Sequence, residues 1–584
     1  MNFHLFPPNL RKRDNILPSL WDILAFFLVV AAITLIIQMG SNFMAPLSSL
    51  QQKPISLDPA ALPYYAMRTT FRMLAGLALS LIFTFVYASI AARSVRWERI
   101  LIPLLDILQS IPILGFLSAT IAFFLALAPG RILGAEFAAI FAIFTSQAWN
   151  MTFSLYQSIR TVPEDLRRAA RSYHFSRWMT FWRVHLPFGI PALIWNMMIS
   201  VSGGWFFVVA SEAIAVGHTR IALPGVGSYI ATAIAQRDLQ AIGYAIGCMV
   251  VVILLYDQFF FRPLIAWAAR FGSDSERYDN EHSRPKSWFL TVILSTRYFK
   301  LLYSPFVWLI SASINKFQHA KTNHSSRHTP SLSKHTERLA DWLTALALIG
   351  LFIVLVWNIR KFFTWEELQV EIPKTALYAA FTTIRVFILI SIASLIWVPV
   401  GVWIGLRPKL ARIVTPIIQF LAAFPNNLFF PLVVVLIAQW QLNENIWLSP
   451  LMILGTQWYI LFNVIAGTDR LPQDLQDISR TYHIGGLLWW KRFILPGIFP
   501  YYLTGVINTS AGAWNASIIS EYAQWGDMVL QADGLGAYIQ AATNAGEFKK
   551  IAIGIAMMSL FIIIINRLFW SPLYDYAEKR FRML

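Results

Sequence analysis

Residues 162–191 read VPEDLRRAARSYHFSRWMTFWRVHLPFGIP, and residues 471–500 read LPQDLQDISRTYHIGGLLWWKRFILPGIFP. The two stretches align without a gap at an offset of 309 residues. Pro163, Asp165, Leu166, Arg171, Tyr173, His174, Arg183, Leu186, Pro187 and Pro191 recur as Pro472, Asp474, Leu475, Arg480, Tyr482, His483, Arg492, Leu495, Pro496 and Pro500. Each copy is polar, yet long apolar stretches flank it. A polar element between membrane spans, present twice, points to a docking surface for a soluble partner.

Composition fixes the class of protein around these segments. The 584 residues are 57% hydrophobic and only 13% charged, against about 25% charged in soluble domains. Many apolar runs reach the roughly 20 residues that cross a bilayer as a helix. The fold class expected is an all-α polytopic membrane protein. A net charge of +17 fits basic loops held on the cytoplasmic side better than nucleic-acid binding. A single cysteine, Cys248, excludes an internal disulfide and any cysteine-based metal site. Arg11, Lys12 and Arg13 precede an apolar stretch from Trp21 to Met39 that reads as an uncleaved first span.

Hydropathy predicts six spans in each half, at roughly 20–40, 66–92, 101–127, 136–159, 186–212 and 240–264, then 339–358, 376–406, 412–438, 446–467, 495–521 and 550–570. Arginines at 93, 96, 99, 160, 167, 168, 171, 177, 183, 262 and 270 cluster in alternate loops, as do basic residues at 407, 409, 412, 491, 492, 567, 579, 580 and 582. The positive-inside bias puts both termini in the cytoplasm and both halves in the same orientation. This is a parallel duplication, not the inverted repeat of many secondary carriers. The expected domains are 1–270 and 339–584, each a six-span permease-like domain, joined by a cytoplasmic or interfacial linker, 271–338. Within it, Trp288 to Ile314 reads as an interfacial helix, because Arg297 and Lys300 interrupt it.

Further matches extend the repeat. Thr69-Thr70-Phe71-Arg72 corresponds to Thr382-Thr383-Ile384-Arg385, and Pro103 and Pro112 to Pro416 and Pro425, at an offset of 313. Trp205, Ser211, Glu212, Gly225, Gly227, Tyr229 and Ile230 recur at 309 as Trp514, Ser520, Glu521, Gly534, Gly536, Tyr538 and Ile539.

The quoted segments themselves predict short amphipathic helices. Pro163 suits a first helical position, Glu164 and Asp165 the first turn and Arg171 the last, so the charges complement the helix dipole. Leu166, Ala169, Ala170 and Tyr173 form an apolar stripe, as do Leu475, Ile478 and Tyr482.

Here the chain resembles the inner-membrane permeases of ATP-binding-cassette importers, whose cytoplasmic loop has Glu-Ala-Ala, then a glycine, then Leu-Pro about a dozen residues on. Arg168-Ala169-Ala170-Arg171 and Asp477-Ile478-Ser479-Arg480 occupy the start of that pattern, His174 and His483 stand where the family usually has glycine, and Leu186-Pro187 and Leu495-Pro496 close it. The resemblance implies that both segments are coupling helices seated in two ATP-binding subunits. It also implies an external solute-binding protein and a multi-pass location in a bacterial-type inner membrane. The departures, Arg168 in one copy and Asp477 in the other, make the two docking sites chemically unequal. The missing glycine predicts a different helix break. Together with Gly-x-Gly-x-Tyr-Ile, the loop is most similar to the nitrate, sulfonate, taurine and bicarbonate branch, which implies a small anion as solute.

The chain holds no phosphate-cradling G-x-x-x-x-G-K-[ST] and no H-E-x-x-H. No catalytic residue, metal or cofactor is therefore expected, and ATP hydrolysis belongs on another polypeptide. Polar residues inside spans are the candidates for a translocation path: Gln147 and Asn150 in span four, Ser200 and Ser202 in span five, with Gln457, Asn463, Asn508, Thr509 and Ser510 in the second half. Interhelical hydrogen bonding is the alternative role for each. Gln109-Ser110 and Asn426-Asn427 flank the span-three prolines. Glu212 and Glu521 are read either as an outer gate touching the Gly225-Val226-Gly227 and Gly534-Leu535-Gly536 loops, or as carboxylates reaching external water. An ion-coupled secondary transporter with parallel repeats is the competing function.

Overall fold

The computed structural model describes residues 46, 54–92, 95–216, 219–271, 287–295, 346, 350, 354, 357 and 360–581. The first span expected in each half, 20–40 and, apart from residues 346, 350, 354 and 357, 339–358, and most of the linker lie outside the described residues. Of the expected interfacial helix, the part described is a helix over Trp288–Ser295.

Six described helices are long and apolar enough to cross a membrane: Pro59–Ala91, Ile132–Thr161, Trp178–Glu212, Leu239–Ala268, Trp365–Gly405 and Phe548–Ala577. Two further pairs pass the same test only as bent spans. The protein is an all-α polytopic membrane protein with two tandem copies of one helical plan. We label the helices used below α1 (Leu62–Ala91), α2 (Val95–Ser110), α3 (Ile113–Leu127), α4 (Ile132–Thr161), α5 (Glu164–Ser172), α6 (Leu186–Glu212), α7 (Val226–Ala235) and α8 (Leu239–Tyr256) in the first copy. In the second copy, α9 (Trp365–Gly405), α10 (Pro408–Ala423), α11 (Phe430–Gln439), α12 (Trp458–Asp469), α13 (Gln473–Thr481), α14 (Leu495–Ser520), α15 (Leu535–Ala545) and α16 (Phe548–Ile565) follow.

The repeat extends to small backbone features. A π-helical turn, Phe181–His185, precedes α6, and its counterpart Trp490–Ile494 precedes α14. Each copy then has one antiparallel hairpin: β1 (Ala213–Val216) with β2 (Thr219–Ala222), and β3 (Tyr522–Trp525) with β4 (Met528–Gln531). Among the described residues, these two-stranded hairpins are the β-strands of an otherwise helical plan.

The expected spans at 101–127 and 412–438 are not straight. The first bends by 86° between Ser110 and Ile113, and the second by 73° between Ala423 and Asn426. Proline explains both. Pro112 and Pro425 sit in extended conformation immediately before the restarted helix, and proline pushes the residue before it out of the helical region. The expected span at 446–467 is also corrected. Glu444–Trp447 and a 3₁₀ turn, Ser449–Met452, come first, and the α-helix runs only over Trp458–Asp469. Pro450 starts that 3₁₀ turn, and Gly455 lies before the helix, packed against the Asn426 amide.

The chain divides into two compact units built from discontinuous segments. One comprises residues 1–38, 153–195 and 258–371, the other residues 39–152, 196–257 and 372–584. In the first, a Cβ on Gly189 would lie 3.1 Å from the Leu155 and Ser158 side chains. The Arg167 guanidinium donates to the Arg160 carbonyl at 2.5 Å, tying α5 to the end of α4. Phe259 and Phe289 meet edge to face at 4.9 Å. In the second unit, buried Ala379, Val386, Ile460, Val506, Trp514, Ile539 and Met558 form a core joining α9, α12, α14, α15 and α16. A separate core gathers Ile113, Leu117, Ile121, Ala135, Ala138, Ala139 and Leu223.

Candidate functional site

The two repeated segments fold as predicted, into α5 and α13. The apolar residues of each point outward: Leu166 is 45% exposed, Tyr173 75%, Ile478 48% and Tyr482 74%, while Ala170 and Ser479 form the buried side. Glu164 pairs with Arg171 and lies 4.0 Å from Arg168 on the surface of α5. In α13 the corresponding positions are Gln473 and Asp477. Pro163 stands one residue earlier than expected, at the N-cap, with Glu164 the first helical residue.

Both helices end the same way. His174 and His483 have φ of 51° and 50°, the left-handed region. The amide of Phe175 donates to the Ala170 carbonyl and that of Ile484 to the Ser479 carbonyl, the six-to-one bond of a Schellman turn. The expectation of a different helix break is therefore corrected. The break is the one glycine ordinarily supplies, and histidine occupies it at a cost of about 1–2 kcal/mol.

A second structure lies at the far end of α6. Arg72 makes a bidentate pair with Glu136 at 2.6 and 2.7 Å and a third bond to Glu212 at 2.6 Å. Arg68 joins Glu136 at 2.7 Å. All four side chains are buried. Two arginines and two glutamates balance, which is what permits burial. The Glu212 carboxylate also accepts from the Gly227 amide at 2.7 Å and from Thr69 Oγ1 at 2.7 Å, while Thr69 accepts from the Val226 amide at 3.0 Å. Glu212, the last residue of α6, thus caps the first turn of α7. That turn offers unpaired N–H groups and a positive dipole end.

The second copy repeats the cap with fewer charges. Glu521 accepts from the Gly536 amide at 2.8 Å and from Thr382 at 2.9 Å, and Thr382 accepts from the Leu535 amide at 3.0 Å. Arg385 reaches Glu521 at 3.1 Å and Asn445 Oδ1 at 2.7 Å. Asn445 stands 309 residues after Glu136, and Phe381 stands 313 after Arg68. One acid and one base are replaced together, so the buried charges balance in both networks, with the exposed Asp533 carboxylate accepting from Asn445 at the rim of the second. The matched glycines are required by close approach. A Cβ on Gly225 would meet the Glu212 carboxylate and one on Gly227 the Val209 carbonyl, while Gly534 and Gly536 face Glu521 and the Ser517 carbonyl. The expected contact of Glu212 and Glu521 with these loops is present. The alternative, a carboxylate reaching external water, is overturned, since Glu212 and Glu521 are buried and paired.

The polar residues expected along a path divide. A cavity of about 170 Å³ is lined by Asn150, Ser200, Ser202 and Asn508, and also by Gln109, Asn426, Thr456, Tyr459 and Asn515. Among the described residues its walls hold no charged side chain, and Trp149, Phe206, Phe207 and Phe424 also line it. A second cavity of about 320 Å³ has Asn427, Gln524, Gln540 and Asn544 on its wall and shares Phe430 with the first.

Five expected path residues line neither cavity: four are turned into helix packing and one faces a third, smaller cavity. Gln147 is buried with its Nε2 3.4 Å from Met73 Sδ. Gln457 accepts from Trp397 Nε1 at 3.0 Å, Asn463 donates to the Tyr459 carbonyl at 2.8 Å, and Thr509 donates to the Thr456 carbonyl at 2.8 Å. Ser510 lines a separate cavity of about 90 Å³ with Asp106 and Asn566. No group of three or more His, Cys, Asp or Glu able to hold a metal occurs among the described residues.

The chain matches the model of the binding-protein-dependent transport system inner membrane component twice, over residues 84–262 and 397–582. It belongs to that family. Both matches contain a short polar helix and a carboxylate cap, and together they cover more than half of the chain. Among relatives, this permease-family chain is 25% identical over 177 residues to a bicarbonate transport system permease protein of Synechococcus elongatus, covering 30% of this chain and 60% of the relative. It is 23% identical over 176 residues to a nitrate import permease protein of Leptolyngbya laminosa, at 30% and 60% coverage. It is 26% identical over 184 residues to a taurine transport system permease protein of Escherichia coli, at 31% and 61%. The chain thus spans about 60% of the length of the curated relatives it matches.

Proposed function

We propose that this chain is the fused, two-domain conducting component of an ATP-powered importer for a small anion. Residues 1–270 and 339–584 form its two transport domains and 271–338 the linker. The basic loops face the cytoplasm, with both termini on that side, in a bacterial-type inner membrane. Two ATP-binding-cassette subunits dock on α5 and α13, and an external solute-binding protein delivers the solute. The relatives named for nitrate, bicarbonate and taurine transport support an anionic cargo. Family membership supports the need for a binding protein.

One observation carries the ATPase assignment. Each copy presents a short, predominantly polar helix with exposed apolar side chains, Leu166 and Tyr173 in one and Ile478 and Tyr482 in the other. Exposed apolar side chains on a polar helix await a partner surface. The cavity with Asn150, Ser200 and Asn508 is the candidate passage, and the Glu212 and Glu521 caps join the ends of α6 and α14 to α7 and α15, where an outer gate would be moved.

The test is reconstitution of the full chain in vesicles with and without a cassette ATPase. Uptake is expected only with ATP and the ATPase. The paired changes Leu166→Ser with Tyr173→Ser, or Ile478→Ser with Tyr482→Ser, leave the fold intact because the side chains are exposed. Each pair is expected to weaken ATPase association about tenfold or more. Uptake driven by an ion gradient with no ATPase present overturns the proposal.

A further inference from the structure

We propose that the 170 Å³ cavity is a single binding site for one monovalent anion, held by the N-terminus of α3 together with the Asn515 carboxamide and the Ser200 and Thr456 hydroxyls. This deepens the function proposed above and rests on it for the identity of the cargo as an anion.

The break at Pro112 is the first observation. It turns the chain by 86° and restarts a fifteen-residue helix whose first residue, Ile113, lines the cavity. The positive end of a helix dipole, an arrangement that favours anions, therefore lies at the cavity wall. The Ile113 amide donates to Asn515 Oδ1 at 2.9 Å. An uncharged carboxamide therefore stands where a carboxylate would neutralise the dipole. The matching break places Asn426, first residue of the helical run Asn426–Gln439, on the same cavity.

The second observation is independent. Ser200 is only 3% exposed, and among the described residues neither its Oγ nor Thr456 Oγ1 has a hydrogen-bond partner. Both residues line the cavity. Buried hydroxyls are normally satisfied, and an acceptor-only ligand is what a free O–H donor fits.

Charge number follows from the lining. Among the described residues, no side chain on the cavity wall is charged. Desolvation cost grows with the square of charge, so a dianion loses about four times as much solvation as a monoanion of equal size. Dipoles and hydroxyls offset the smaller loss and not the larger one. A single site also follows. Phe206 stands 309 residues before Asn515, and Ile113 stands 313 before Asn426, so the two copies do not supply equivalent half-sites.

The experiment titrates the purified full chain in lipid nanodiscs with nitrate and with sulfate, as mono- and dianion probes, by calorimetry. Nitrate is expected to bind, and sulfate to bind at least about tenfold more weakly. Asn515→Asp fixes a negative charge beside the α3 N-terminus and is expected to weaken nitrate roughly a hundredfold. Ser200→Ala removes only a hydroxyl, so its fold is secure, and it is expected to weaken nitrate about tenfold. Sulfate binding as tightly as nitrate, or nitrate binding indifferent to both substitutions, overturns the site. The titration needs no ATPase, so a wild-type complex without ATP-driven uptake sinks the importer assignment and leaves this result standing apart from it.

Discussion

Replacing Arg68 with phenylalanine and Glu136 with asparagine, singly and together, imposes the second copy's chemistry on the first. Arg68→Phe leaves one arginine against two buried glutamates. Glu136→Asn leaves two arginines against Glu212 alone. Either change strands a full charge among side chains that are almost completely buried. Removing one partner of a buried pair costs about 3–5 kcal/mol. The double replacement leaves Arg72 with Glu212 and an amide acceptor, the arrangement that Arg385 already has with Glu521 and Asn445 at 3.1 and 2.7 Å. Its expected cost is about 1 kcal/mol, the residue of imperfect repacking. Additivity would predict about 6–10 kcal/mol, so the coupling between the two sites is several kcal/mol. Thermal stability of the full chain in detergent, followed as loss of the monodisperse species, ranks the variants. Each single is expected far below wild type and the double close to it. Singles costing less than about 1 kcal/mol, or a double that equals the sum, would refute the charge-balance account.

His174→Gly and His483→Gly relieve left-handed strain at φ near 50° and are expected to stabilise by about 0.5–1 kcal/mol each, after glycine's own entropy cost. Slower hydrogen exchange at the Phe175 and Ile484 amides is the readout, and faster exchange would show that the imidazole itself holds the turn. Gly227→Ala drives a methyl into the Val209 carbonyl and is expected to abolish stable expression, whereas Gly243→Ala, with nothing within 4 Å of the new methyl, is expected to gain up to about 1 kcal/mol in the interior of α8. Equal effects from the two alanines, measured as detergent melting points, would remove the close-approach argument.

The repeat made much of the plan legible before any coordinates. Identical residues at fixed offsets located α5 and α13, the Thr-Arg and glutamate members of both caps, and the glycines that those caps require. Arg68 and Glu136 were hidden for the reason that makes them informative. Their counterparts Phe381 and Asn445 differ, so no match marked them, although a charge pair spaced across two apolar helices was itself a signal. Residues 508, 509 and 510 show a second limit. Asn508 faces the main cavity, Thr509 a neighbouring carbonyl and Ser510 a smaller cavity. Successive helix positions differ by about 100°, and hydropathy along a span does not set its rotation. The span-three prolines were visible as matches, but the size of the bends depends on tertiary packing, which a linear pattern does not encode.

From Gly486 to Ser520 the second copy is helical without interruption, a shaft of about 50 Å at 1.5 Å per residue. One extremity begins just beyond the left-handed turn at His483, and the other ends beside the carboxylate seated on Gly536. Its two places to bend are the π-helical turn at Trp490–Ile494 and Pro500. Between and beyond them, torque applied at the foot is carried toward the crown along one continuous helical element. Crosslinking the crown in place would therefore stall the foot.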